Sequence, residues 1–187
     1  MVQTTQAEVT SLISSHMRRG AVGIVALALV VFSGLSAVFA ANSAPQVTLS
    51  VAKVGPREIE ALTQRSVVRD YKFAWANLDL ALQSNSTAPL NGLFVGPANV
   101  WLSDAVTSQK RSGISARYSN QIHKLDAVFY APEGDVMELH DTAEYDLEIL
   151  DGSKTIHSEH AVVHYIVLMT PGADRWVIRQ LQSVPQF

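Results

Sequence analysis

The feature that most constrains this chain is a long apolar run over residues 20–41, GAVGIVALALVVFSGLSAVFAA, which contains no charged residue. About 20 apolar residues in a helix rising 1.5 Å per residue cross a hydrocarbon layer of about 30 Å. The run is therefore predicted to be a transmembrane helix or a secretory signal sequence. Val38-Phe39-Ala40, directly before Ala41, is typical of a signal-peptidase site. The sequence leaves retention and cleavage open.

The two arginines that precede the run set its direction. Cationic residues stay on the cytoplasmic side of a membrane, so Arg18 and Arg19 place the N-terminus in the cytoplasm. Residues 1–19 are then a cytoplasmic leader, residues 42–55 a linker, and residues 56–187 an extracytoplasmic α+β domain. The chain is predicted to be a single-pass protein of the cell (inner) membrane with a periplasmic domain, and the lipid bilayer is its first predicted partner.

Composition excludes several classes of function. The chain has no cysteine, which excludes disulfides, thiolate metal sites and cysteine nucleophiles. A net charge of -3 argues against a general nucleic-acid binder, which needs a basic face. The sequence contains neither a glycine loop for phosphate nor a serine-hydrolase elbow. We therefore expect no nucleic-acid partner and no cofactor.

Two hydrophobic periods divide the domain. Apolar residues recur at spacings of three and four over residues 56–84 and 97–112, which predicts two helices. After Gly113 the period becomes two, which predicts strands over residues 122–131, 136–150, 155–169 and 175–184. Residues 47–51 also alternate, which indicates a short extended segment. The predicted fold class is α+β, with an N-terminal transmembrane helix followed by helices packed on a curved antiparallel sheet of about four strands.

This order of elements, the long strands and the phrase Asp174-Arg175-Trp176-Val177-Ile178 resemble the nuclear-transport-factor-2-like superfamily over residues 58–184. That superfamily includes ketosteroid isomerase, scytalone dehydratase and the SnoaL-like proteins. The resemblance implies a cone-shaped α+β domain, and such domains serve as enzymes, binding modules and membrane-assembly subunits alike. A single N-terminal span carrying this domain is also similar to assembly subunits of type IV secretion systems and to organelle membrane-tether proteins.

The hairpin at Asp151-Gly152 contains the candidate catalytic residues. If that dipeptide forms a tight turn, odd residues of the second strand share a face with even residues of the third. This register places four ionisable residues on the mainly apolar face: Asp141, Tyr145, His160 and His164. They resemble the acid–base groups of isomerase and dehydratase members, and burial would shift their pKa values. The alternative is a satisfied buried pair of Asp141 and His164, and a one-residue bulge would break the register.

Two further patterns on the hairpin need interpretation. His160 and His164 lie four residues apart, which on a strand separates them by about 13 Å, so the sequence predicts no metal site. The outward face is predicted to be acidic, either as a solvated surface or as a docking surface for a basic partner, through Glu138, Glu144, Asp146, Glu148 and Glu159. Asn85-Ser86-Thr87 matches a glycosylation acceptor of the eukaryotic secretory route.

Two functions from different classes remain open. The first is a membrane-anchored, non-enzymatic binding or scaffold module that acts as an accessory or assembly subunit of a membrane complex. Its predicted partners are other membrane-protein subunits. The second is a small-molecule enzyme of the isomerase or dehydratase type, or a ligand carrier, that uses an apolar cone pocket. The second function requires Asp141, Tyr145 and His164 to converge on an open pocket.

Overall fold

The computed structural model describes residues 44–187. The predicted leader and apolar run lie outside the described residues. Between residues 44 and 187, no helix is both long enough and apolar enough to cross a membrane.

The domain contains five strands, two α-helices and one short 3₁₀ helix. In chain order they are β1 (Gln46–Ser50), α1 (Ala61–Ser84), the 3₁₀ helix (Ala88–Leu90), α2 (Gly96–Arg111), β2 (Ile114–Tyr130), β3 (Met137–Asp151), β4 (Lys154–Pro171) and β5 (Trp176–Val184). The predicted α+β class is confirmed, and the strand boundaries after residue 130 match the predicted ones closely.

The sheet is mixed and has five strands in the order β1-β2-β3-β4-β5. Strands β2 to β5 form the predicted antiparallel meander, whereas β1 runs parallel to β2, with Gln46 opposite Ile122. The four predicted antiparallel strands are therefore present, but the prediction missed β1, a fifth strand that pairs in parallel at the edge of the sheet. Alternation over residues 47–51 indicated extended backbone, but so short a segment carries no sign of its pairing partner.

Two element boundaries differ from the predicted ones for identifiable reasons. Strand β2 begins at Ile114 rather than at residue 122, because a register shift between Ser119 and Ile122 interrupts its alternation. Asn120 adopts a left-handed φ of 54° at this bulge. Helix α1 begins at Ala61, not at Pro56, which instead pairs with Tyr130 in an isolated bridge.

Asn85 ends α1 and ties it to the sheet. Its φ of 51° is left-handed, and its backbone N–H donates to Ala81 O. Its side-chain amide donates to Ile114 O at 2.8 Å and accepts from Gln109 Nε2 at 2.6 Å. The side chain matched by the glycosylation pattern is therefore already committed to structural hydrogen bonds.

The sheet curves around the two helices. Both α1 and α2 contact β2 and β5, although these strands are three positions apart in the sheet, a separation of about 14 Å in a flat sheet. We call the face of the sheet toward the helices the inner face, the opposite one the outer face, and the enclosed interior the cone. The largest fully buried side chains include Tyr71, Trp75, Phe94, Leu125, Met137, Leu139, Met169 and Ile178.

Candidate functional site

A single bulge in the β3–β4 hairpin decides which residues share a face. At the turn, Asp151 pairs with Lys154 and Leu150 with Thr155, as a two-residue loop requires. The next pair joins Ile149 to His157, so Ile156 is an extra residue on β4. Beyond this bulge, odd residues of β3 pair with odd residues of β4.

The bulge separates the four predicted catalytic residues. Asp141 pairs with Tyr165, and Tyr145 pairs with Ala161, so these residues lie on the inner face. His160 pairs with Asp146 and His164 with Thr142, on the outer face. The prediction that all four share the apolar face is wrong for the two histidines, because the extra residue reverses their orientation. The same shift moves Glu159, which pairs with Leu147, off the predicted acidic face.

Asp141 belongs to a buried cluster with Tyr71 and His123, neither of which was predicted from the sequence to be a site residue. The Tyr71 hydroxyl donates to Asp141 Oδ2 at 2.7 Å, and His123 Nδ1 lies 2.7 Å from the same oxygen. All three residues are 0% exposed. The Tyr71 hydroxyl and the His123 ring therefore share one oxygen of the Asp141 side chain. Helix α1 positions Tyr71, and adjacent strands β2 and β3 position His123 and Asp141.

Two polar atoms of this cluster make no hydrogen bond within residues 44–187. They are Asp141 Oδ1 and His123 Nε2, and both are fully buried. Burying such an atom without a partner costs about 1–3 kcal/mol, which the packing of the rest of the core must offset. The sequence did contain a pattern that indicates burial of His123. His123, Leu125 and Ala127 lie two residues apart on the strand, and all three are buried. Nothing in the sequence indicated which helical residue would meet it.

Trp75 fills the centre of the cone. Its ring lies 4.3 Å from the His123 ring centroid and 5.7 Å from that of Tyr165. The rings of Tyr71, Tyr118 and Tyr145 lie 6.2, 6.4 and 6.5 Å away. Trp75 is only 1% exposed. Helix α1 therefore places its largest side chain in the interior of the cone, with five aromatic rings around it.

Burial raises the pKa values of the tyrosines in the cone, which keeps their hydroxyls protonated near neutral pH. Burial raises the pKa of Tyr145 well above its ordinary value, and the adjacent Tyr165 raises it further. Burial likewise raises the pKa of Tyr71, with Asp141 as the next cause. The hydroxyl of Tyr145 lies 3.3 Å from that of Tyr165, not beside Asp141 or a histidine. The three groups that the enzymatic function requires, Asp141, Tyr145 and His164, therefore do not converge.

The outer face has the opposite character, because its ionisable groups remain in contact with solvent. His160 Nδ1 lies 2.8 Å from Asp146, and its Nε2 lies 3.4 Å from Glu144. The hydrogen bond to Asp146 raises the pKa of His160. The pKa of Asp146 is lowered, first by the hydrogen bond from Asn120 and then by that from His160. Both carboxylates keep more than a third of their side-chain surface exposed, 39% for Glu144 and 37% for Asp146.

Apolar side chains accompany the acids on the outer face. Val162 is 57% exposed and Phe187 is 53% exposed. The Phe187 ring stacks on His140 with centroids 4.3 Å apart and meets His164 edge-on at 5.0 Å. His164 Nδ1 also lies 3.2 Å from the Thr142 hydroxyl. Neither described helix covers this face, because both pack on the inner one. Exposed apolar groups among acids are typical of a protein-binding surface.

Comparisons with known proteins agree with the fold and do not assign a family. No protein-family model matches the chain, and no curated protein sequence matches it. The intermembrane space region of the chloroplast protein ARC6 is similar in structure, with a TM-score of 0.52, 14% identity, and coverage of 69% of this chain and 100% of that one. This similarity confirms a cone-type α+β fold and shows the fold alone.

A second similar structure is a protein of unknown function with a cystatin-like fold from Nostoc punctiforme. It matches with 14% identity over 69% of this chain and 96% of that one, at a TM-score of 0.34.

Proposed function

We propose that this chain is a membrane-anchored, non-enzymatic binding module that serves as an accessory or assembly subunit of a membrane complex. The single observation that carries the proposal is the filled cone, in which Trp75 contacts Tyr71, His123, Tyr118, Tyr145 and Tyr165. A catalyst or carrier of this fold needs space for a ligand beside its polar groups. Here a tryptophan occupies that space, so binding takes place at a surface.

The outer face is the surface that fits this role. Glu138, Glu144, Asp146 and Glu148 extend along one side of β3, half-buried and acidic. Arg117 binds Glu148 and His160 bridges Glu144 and Asp146, which orders these carboxylates without neutralising the whole row. A partner with a basic rim around an apolar centre would complement this surface.

The location of the domain follows from the apolar run. Both fates of residues 20–41 send the domain to the non-cytoplasmic side. The ARC6 region with the same fold lies in an intermembrane space, which supports a domain of this type working beside a membrane. We propose that the run is retained as a single-pass anchor and that the domain is periplasmic or otherwise extracytoplasmic.

The second candidate function keeps one favourable observation. The pair of His123 and Asp141, 2.7 Å apart and fully buried, is chemically able to exchange a proton. A substrate would reach it only after Trp75 moved. We therefore rank an isomerase, dehydratase or carrier second, with His123 in the role that was predicted for His164.

Purification of the full chain in mild detergent, followed by identification of co-eluting chains, tests the first function. We expect a defined partner that is lost when two outer-face acids are reversed, Glu138→Lys with Glu144→Lys. The matched double reversal on α2, Lys110→Glu with Arg111→Glu, changes two exposed cations away from the outer face and should leave the partner bound. A monodisperse chain without partners, or equal loss in both variants, would contradict the proposal.

A further inference from the structure

Helix α1 separates its charged residues between its two sides. Its two acidic residues are buried, Asp70 at 4% and Asp79 at 6% exposure. Its exposed positions are Ala61, Leu62, Arg65, Arg69, Lys72, Phe73, Leu80, Gln83 and Ser84. That exposed side contains three cations and three large apolar side chains, and it contains no acid.

The acids face inward because they bind the backbone of the sheet. Asp70 accepts from Trp176 N at 2.8 Å, and Asp79 accepts from Tyr118 N at 2.9 Å. These bonds tie α1 to β5 and to β2. Arg69 pairs with Asp70 at 2.8 Å, which offsets part of its charge. Arg65 and Lys72 make no ion pair within residues 44–187, so the exposed side of α1 is cationic.

The exposed apolar residues of α1 form one line. Leu62, Phe73 and Leu80 are 72%, 48% and 52% exposed, although each is large and apolar. At 100° per residue their directions from the helix axis agree within about 20°, and they extend over about 27 Å. The guanidinium of Arg175 lies 5.5 Å from the Phe73 ring, and Asp174 pairs with it at 2.7 Å, so this cation brings its own counter-charge.

We propose that this side of α1 lies along an anionic lipid surface. A helix with apolar side chains in one line and cations beside it matches the chemistry of the boundary between headgroups and acyl chains. Each cation near an anionic surface strengthens binding about fivefold. The partner is therefore a bilayer that contains anionic lipid, and the leader segment or a second copy of the chain are the competing occupants.

The charge of the exposed side of α1 favours a lipid bilayer as the occupant. None of its exposed positions carries an acid, and Arg65 and Lys72 pair with no carboxylate of their own helix, so these cations can meet anionic headgroups. The inference rests on the proposed anchor at residues 20–41 and not on the outer-face partner.

Site-specific spin labels on the full chain in vesicles test the contact. Because the chain has no cysteine, Phe73→Cys, Leu80→Cys and Val162→Cys each give one unique label. The measured quantity is the rate at which each label collides with a water-soluble nickel complex. For labels at 73 and 80, we expect this rate to be at least about fivefold lower in vesicles containing phosphatidylglycerol than in phosphatidylcholine vesicles. The label at 162, on the outer face, should not change.

Charge variants separate lipid binding from a protein covering. Arg65→Gln with Lys72→Gln should lower the ratio of bound to unbound helix by up to about 25-fold, whereas Lys124→Gln, an exposed cation of the outer face, should have no effect. Labels at 73 and 80 that stay as accessible as the one at 162 in anionic vesicles would overturn the proposal. Equal protection in phosphatidylcholine vesicles would also overturn it, because a covering that does not depend on lipid charge, such as a segment of protein, would then shield the helix.

Discussion

Alternate residues of β3 experience two different environments. On the inner face Met137, Leu139, Asp141 and Ala143 are all 0% exposed. On the outer face Glu138 keeps 34% of its side-chain surface, with the neighbouring acids in a similar state. The inner carboxylate makes its two hydrogen bonds in a closed aromatic core, whereas the outer carboxylates, although also hydrogen-bonded, remain in contact with solvent. The face on which an ionisable residue lies therefore decides its role more than its type does.

The strongest way to break this separation is to shift the register of β4. Deleting Ile166 forces either Tyr165, or Val167 and Met169, off the inner face. We expect a loss of more than about 3 kcal/mol in the free energy of unfolding, measured in urea. Deleting Ile156, the bulged residue, keeps every inner-face pair and should cost less than about 1 kcal/mol. Equal losses would mean that the bulge does not set the faces.

Trp75→Ala tests whether the cone is filled. The substitution removes the side chain that five rings contact, and we expect a loss of about 3–5 kcal/mol in the free energy of unfolding. Added indole should recover part of the loss by binding the new cavity. Val162→Ala, on the outer face, should change stability by no more than about 0.5 kcal/mol. A loss below 1 kcal/mol for Trp75→Ala would indicate that the cone already contains free space.

Asp141→Ala removes the acceptor of the buried cluster. The hydroxyl of Tyr71 and Nδ1 of His123 then lose their shared partner, and we expect a loss of about 3 kcal/mol. Tyr71→Phe alone should cost about 1–1.5 kcal/mol, and much less in the Asp141→Ala background, because the bond is already absent. Glu144→Ala is the outer-face control, with an expected change within about 0.5 kcal/mol. A Tyr71→Phe cost that is the same in both backgrounds would show that the two side chains are not coupled.

The smallest expected effect is the pH dependence of His160. Its pKa is raised in the folded chain by Asp146, so its protonated form stabilises the fold. This contribution is fully present below the ordinary histidine pKa and is lost as pH rises through the raised value. His160→Gln should therefore destabilise the domain slightly at pH 5.5 and leave it unchanged at pH 8.5, as measured by urea unfolding. A larger effect at the alkaline pH would contradict the assigned cause.

Much of the fold follows from periodicity alone. Apolar residues recur every three or four positions before Gly113 and every two positions after it, which separates the helices from the meander. The dipeptide Asp151-Gly152 locates the hairpin turn. The register beyond that turn does not follow, because Ile156 looks like any other strand residue and its extra place depends on pairing with β3. For the same reason sequence reasoning placed His160 and His164 beside Asp141. The true partners, Tyr71 and His123, come from distant segments joined only by packing.

Photocrosslinking of the full chain in its native membrane tests the central claim most directly. A photoreactive residue is placed at Val162 on the outer face or at Leu80 on α1, both of which are more than half exposed. We predict that position 162 crosslinks to one protein chain and that Glu138→Lys with Glu144→Lys abolishes this adduct, while position 80 crosslinks to lipid. A protein adduct at position 80 together with none at position 162 would contradict the assignment of partner binding to the outer face.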